Sequence, residues 1–204
     1  MWRIGLTGSI ATGKSTVLEA FSDLGVPVFS ADAAVAELYE GEAVGPVTAL
    51  FPDVAPHGVI DRTLLSQRLQ ADPSLFKPLE AVVHPLVRAK IAKFLDDAEA
   101  AEQALAVVEV PLLFESGHDY GFDAIAVTWV DEATQRERAL ARPGMTVEKL
   151  EAILARQMPQ VEKKARATYT FDTGTSREFV REMVAALVAA IRAQGPKEGQ
   201  NNEP

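Results

Sequence analysis

The chain has 204 residues, 48% of them apolar, which suits one domain with insertions or at most two small domains. It has no cysteine, which excludes a disulfide framework, a thiolate zinc site and a cysteine nucleophile, and fits a reducing compartment. With 20 Lys and Arg against 29 Asp and Glu, the net charge of −9 argues against a nucleic-acid partner but not against a small polyanion held by a few converging cations.

Residues 2–6 form an apolar run expected to be a buried strand rather than an export signal. No apolar stretch approaches the ~20 residues that a membrane-spanning helix needs, so the expected location is the cytoplasm, with no membrane partner. A glycine-rich turn runs from Gly8 to Gly13, and Lys14 to Leu24 is predicted helical. Val17, Leu18 and Phe21 share a face of that helix, and Gly25 sits where a glycine closes it. Val26 to Phe29 is a second predicted strand, ending near Asp32. Residues 33–100 carry no strand signal and are expected to be helical, punctuated by Pro46, Pro52, Pro56 and Pro73. Further strands are predicted at Leu105–Val110, Asp123–Val130 and Thr168–Phe171. Between the last two lie two helical stretches. Asp131 caps the first, which runs to Arg142 before Pro143-Gly144; Thr146 caps the second, which ends before Pro159. A last helix starts near Ser176 with Val180, Met183, Val184, Leu187, Val188 and Ile191 as its apolar stripe. Residues 195–204 have the composition of a disordered tail. Near-continuous apolar strands suit a parallel sheet covered on both faces, so the fold class is α/β.

Gly8-Ser9-Ile10-Ala11-Thr12-Gly13-Lys14-Ser15 matches G-x-x-x-x-G-K-[ST] at every fixed position, after a strand and opening a helix. Glycines allow the loop conformations that turn backbone N–H groups inward, and the helix start adds its positive dipole end. Lys14 supplies a point charge for β- and γ-phosphates, and the Ser15 hydroxyl a ligand for Mg2+. The expected ligand is therefore ATP with magnesium. A guanine-nucleotide switch would need an N-K-x-D motif, but the only asparagines are Asn201 and Asn202.

A kinase also needs a group on the acceptor side. Asp32 lies just past a strand end, where open parallel sheets hold ligands, and suits the acceptance of a hydroxyl proton. A helix cap for residues 33–40 is the competing reading. Arg138 and Arg142 are four apart on one helix face and suit closure over a transferring phosphoryl group; a solvated face is the alternative. Arg136 and Arg156 are weaker candidates. His84, with Arg88 one turn on, and Glu115, just past a strand, have either a binding or a capping role.

Taken together, these motifs resemble the dephospho-coenzyme A kinase family. Gly5-Leu6-Thr7-Gly8 through Gly13-Lys14-Ser15-Thr16 is similar to its opening, and Ser30-Ala31-Asp32 to its D-A-D. Ile60-Asp61-Arg62 resembles I-D-R, and Leu79-Glu80 with His84-Pro85 resembles L-E-x-x-x-H-P. Pro111-Leu112-Leu113-Phe114-Glu115 matches P-L-L-F-E, and Gln157 matches the glutamine of the lid region. Ser9 and Ala11 stand where the family has glycine, Ser30 where it has aspartate, and Thr173 where it has asparagine.

The resemblance implies a three-layer P-loop kinase fold with a five-stranded parallel sheet. The core would be residues 1–32, 101–130 and 160–194, with a helical coenzyme A-binding segment at 33–100 and a helical lid at 131–159. The substrates would be ATP and dephospho-coenzyme A, joined at the ribose 3′-hydroxyl. Asp32, Lys14, Arg138 and Arg142 would be catalytic. Gly8 through Thr16 and Arg142 would hold the nucleotide. Asp32, Arg62, His84, Arg88, Leu113, Glu115 and Gln157 would hold the acceptor. A kinase of another nucleotide or sugar acid, and a P-loop sensor that makes no product, are the rival readings.

Overall fold

A computed structural model describes residues 1–195, so the expected tail, apart from Gly195, lies outside the described residues. The strands are β1 (Trp2–Gly8), β2 (Val28–Ser30), β3 (Leu105–Glu109), β4 (Ala124–Trp129) and β5 (Tyr169–Asp172). They form one five-stranded sheet in the order β2-β3-β1-β4-β5. β1 pairs in parallel with β3, Trp2 opposite Leu105 through Leu6 opposite Glu109. On its other side it pairs in parallel with β4, Ile4 opposite Ala124 through Gly8 opposite Thr128. β4 pairs in parallel with β5. The central strand therefore ends where the chain's order switches from one side of the sheet to the other, the place where such sheets hold ligands. Gly5 lacks a side chain because the Phe122 ring fills the space that a Cβ would need.

The helices are α1 (Lys14–Asp23), α2 (Ala31–Glu40), α3 (Val44–Leu50), α4 (Arg62–Ala71), α5 (Phe76–Ala100), α6 (Glu132–Leu140), α7 (Val147–Leu154), α8 (Gln160–Ala165) and α9 (Arg177–Gln194). Strand ends fall within two residues of expectation, and residues 33–100 carry helices and no strand, with 51–61 outside any helix. Asp131, Thr146 and Ser176 cap α6, α7 and α9 through side-chain oxygens. Hydrogen bonds from the Thr134 hydroxyl and backbone hold the Asp131 carboxyl below its ordinary range. Two expectations are corrected. α6 stops at Leu140, short of Arg142, with Ala141 as its last cap. α8 is an additional helix that its short, charged sequence does not announce.

The chain divides into two compact units. The first comprises Met1–Phe29 and the described residues from Leu95 onward. Its core joins Ile4 and Leu6 of β1, Val17 and Phe21 of α1, Phe171 of β5, and Val180, Val184, Val188 and Ile191 of α9. Those four α9 residues belong to the stripe read from sequence, and Met183 and Leu187 pack partly buried beside them. The Phe21 and Phe171 rings meet edge to face with centroids 6.1 Å apart. The second unit is Ser30–Phe94, with Leu38, Val47, Val54 and Leu65 buried. There Ile60 donates its N–H to the Tyr39 carbonyl at 2.8 Å, and burial pushes the Tyr39 phenol up. Within α5, Pro85 interrupts the helical ladder: it has no N–H for the carbonyl of Ala81.

Candidate active site

The loop after β1 is pinned from beneath. Thr12 Oγ1 donates to the Ser9 carbonyl at 2.8 Å and lies 2.8 Å from Thr128 Oγ1 on β4. Thr173, just past β5, donates its hydroxyl to the Thr12 carbonyl at 3.0 Å. All three threonines are buried. Gly8 and Gly13 are required by this packing. A Cβ on Gly8 would stand 2.7 Å from Thr12 Oγ1, and one on Gly13 would stand 2.9 Å from Thr173 Oγ1. Gly13 is also left-handed, with φ 80°. Ala11 shares that backbone region at φ 61°, which an alanine resists and a glycine does not.

α1 starts directly after Gly13 with no side-chain cap and no acidic residue in its first turn. Its positive end is thus left open to an anion. Lys14 Nζ donates to the carbonyls of Gly8 at 3.0 Å and Ser9 at 3.3 Å, so the ammonium folds back along the loop. Ser15 is exposed at the helix start. Ile10 is different: its N–H donates to Gln157 Oε1 at 2.9 Å and so is committed to that glutamine.

The expected lid residues divide. Arg138 donates from its guanidinium to the Thr173 hydroxyl at 3.2 Å and to the Thr173 carbonyl at 2.9 Å, against the wall of the cradle. Thr173 therefore ties Arg138 to the loop. Arg142 lies past the end of α6 and is exposed. Arg136 pairs with Glu151 at 2.6 Å.

Glu115 and Leu113 are built into the first unit. Leu113 is buried. Glu115 Oε1 accepts from the Met158 N–H at 2.7 Å and pairs with Lys163 Nζ at 2.9 Å, while its Oε2 is buried without a hydrogen-bond partner. The Lys163 side chain is 0% exposed and that of Glu115 16%. Removing one member of such a buried pair leaves the other charge uncompensated, at about 3–5 kcal/mol. Lys163→Ala is therefore expected to lower the melting temperature by roughly 6–20 °C. Calorimetry checks this; a shift under a few degrees would mean that the pair adds little to the fold.

The other expected residues lie in the second unit. Asp32 sits in the first turn of α2 and is exposed, two residues after β2 ends. It does not cap the helix: Ser30 does, its hydroxyl accepting from the Ala33 N–H at 3.4 Å. Asp61 caps α4 by accepting from Thr63 N–H at 2.8 Å and Leu64 N–H at 3.1 Å. Arg62 is left exposed, its guanidinium 5.9 Å from the centre of the Tyr39 ring. Lys77, Glu80, Ala81, His84, Pro85 and Arg88 line a groove of about 310 Å³ along α5. Arg88 Nε is buried there without a hydrogen-bond partner.

Sequence reasoning missed two residues of the first unit. Gln135 is 3% exposed and donates from Nε2 to the Ile10 carbonyl at 2.8 Å. Glu109 is a carboxylate only 5% exposed at the end of β3, opposite Leu6. An acidic residue closing an otherwise apolar strand was a usable signal for Glu109; Gln135 carried none. Among the described residues no group of three or more His, Cys, Asp or Glu could hold a metal ion, and no helix is long and apolar enough to cross a membrane.

The profile of the dephospho-CoA kinase family matches residues 2–178. A dephospho-CoA kinase of Rhodopseudomonas palustris is 49% identical over 187 residues, which cover 92% of this chain and 94% of the relative. Among solved structures, a Thermus thermophilus protein superposes with a TM-score of 0.77 at 34% identity, covering 93% of this chain and 97% of its own. A dephospho-CoA kinase from Campylobacter jejuni superposes with a TM-score of 0.66 at 24% identity, covering 93% and 96%, which bears on the fold alone.

Proposed function

This chain belongs to the dephospho-CoA kinase family, and we propose that its residues divide the transfer of the γ-phosphoryl of ATP to the ribose 3′-hydroxyl of dephospho-coenzyme A as follows. The observation that carries the nucleotide side is the uncapped start of α1 behind a left-handed Gly13. N–H groups of the loop and of the helix start receive the β- and γ-phosphates. Lys14 leaves the Gly8 and Ser9 carbonyls for the phosphates as they arrive. Ser15 holds Mg2+ together with phosphate oxygens. That fits a protein whose described residues offer no all-protein metal cage, since magnesium usually keeps waters and phosphates as ligands. A magnesium ion held by Ser15 would supply charge neutralisation to the phosphate oxygens.

On the acceptor side, Asp32 takes the proton of the 3′-hydroxyl as that oxygen bonds to the γ-phosphorus. The bond from the γ-phosphorus to the bridging oxygen breaks, ADP leaves, and Asp32 returns its proton to solvent. An exposed first-turn carboxylate with no capping duty is suited to this role. Arg62, and Lys77 and Arg88 in the groove that His84 also lines, supply cations for the acceptor's diphosphate. Arg142 closes on the transferring group. The cysteine-free composition supports a cytoplasmic site of action.

Because Arg142 is exposed, Arg142→Ala is expected to slow transfer tenfold or more, on the order of 10²-fold for one lost donor, with the melting temperature nearly unchanged. A large melting shift would make it a structural residue. The whole assignment is tested by ADP release with ATP and Mg2+ against dephospho-coenzyme A, AMP, CMP, gluconate, shikimate and pantothenate. Turnover confined to dephospho-coenzyme A, and lost in Asp32→Asn, is expected. Turnover only with another acceptor would overturn the acceptor, and ATP binding without any turnover would favour a sensor.

A further inference from the structure

One residue of the phosphate loop is gripped on three sides. The Ile10 carbonyl accepts from Gln135 Nε2 at 2.8 Å, and its N–H donates to Gln157 Oε1 at 2.9 Å. Its side chain is buried with Ala11, Ala139 and Leu150, and Met145, Ile153 and Leu154 pack against them. Gln135 is itself fixed. Its Oε1 accepts from Gln160 Nε2 at 2.8 Å, and Gln160 Oε1 accepts from the Val130 N–H at 3.2 Å. Gln160 of α8 and Gln135 of α6 thus form a chain that ends on the Ile10 carbonyl, and Gln157, in the turn after α7, separately holds the Ile10 N–H. The next residue, Ala11, is held at φ 61°, where an alanine does not rest unaided. Beyond it, Thr12 is pinned to Ser9 and Thr128.

We infer that Gln135 and Gln157 are positioning residues that hold the Ile10–Ala11 segment so that Ala11 stays left-handed and the loop is preformed for triphosphate. Neither needs to touch the nucleotide. Gln157 spends its carbonyl oxygen on the loop itself, and Gln135 is nearly sealed from solvent. Without the clamp, Ala11 would relax toward negative φ, turning the peptides on either side of it and spoiling the convergence of the N–H groups beyond. A glycine at position 11 visits both signs of φ about equally, so it would return to the required conformation without help. The penalty that alanine meets there corresponds to roughly a tenfold loss of the competent loop.

The inference rests on the nucleotide site proposed above, so the readout is Mg-ATP affinity by calorimetry, with the unaltered protein as reference and melting temperature recorded for each variant. Gln157→Met removes the acceptor at similar size, and Gln135→Met removes the donor. Each is expected to weaken ATP about tenfold or more. Adding Ala11→Gly to Gln157→Met is expected to restore most of that loss. Gln157→Glu keeps an acceptor for the Ile10 N–H and should retain more affinity than Gln157→Met. Unchanged affinity in both methionine variants would overturn the clamp, as would a loss that Ala11→Gly does not relieve. Failure of the unaltered protein to bind ATP would overturn the nucleotide site itself, and with it this inference.

Discussion

Lys14→Ala is expected to cut phosphoryl transfer by at least 10²–10³-fold, the loss typical of one preorganised group removed from the transferring charge. The ammonium is the only side-chain charge that the motif places inside the loop, and it already reaches the Gly8 and Ser9 carbonyls. The variant also vacates those two carbonyls, so affinity for ATP should fall along with kcat. Steady-state kinetics with dephospho-coenzyme A, beside a melting curve, check this. The residue is half-buried and the threonine pins remain, so the fold should survive. Near-normal turnover would sink the nucleotide site.

Asp32→Asn should behave differently. It is expected to lower kcat by roughly 10²–10⁴-fold while ATP affinity stays near that of the unaltered protein, because only the base is lost. The capping geometry sharpens this test. Ser30, not Asp32, satisfies the start of α2, and Asp32 is exposed, so stability should move by no more than about 0.5 kcal/mol. A matched loss of kcat and ATP affinity would point instead to a role through magnesium. A fall in melting temperature of several degrees would return Asp32 to a structural role.

What could be read ahead of the structure was what is local. The phosphate loop is contiguous, its glycines answer to local backbone demands, and it sits between a strand and a helix that their own periodicity announces. The caps of α6, α7 and α9 are likewise written in two or three neighbouring residues. What stayed hidden depends on partners far along the chain. Gln135 lies between Thr134 and Arg136 in a helix of polar residues, where a solvated face is the natural expectation; its burial comes from Ile10, 125 residues away. Lys163, in Glu-Lys-Lys, has the look of surface, yet its charge is buried against Glu115, far along the chain. Thr173, marked in the sequence only by the absence of the family's asparagine, lies beneath Gly13, bonded to Thr12 and Arg138. α6 lost its last two expected residues because Arg142 belongs to the turn before Pro143, where the restriction preceding proline acts.

The position of β1 in the middle of the sheet has a consequence for how the protein is made. Its neighbours on either side begin at Leu105 and Ala124, so β1 leaves the ribosome long before either partner exists. The loop that follows it is pinned by Thr128 and Thr173, which arrive later still. A nucleotide site encoded within the first 16 residues is thus among the last features to be completed. Long-range parallel pairing is slow to form, because wide loops must close before any ladder bond is gained. Affinity for ATP then reports the completed topology rather than the presence of the motif. A nascent chain stalled before β4 should carry the entire signature sequence and bind no nucleotide.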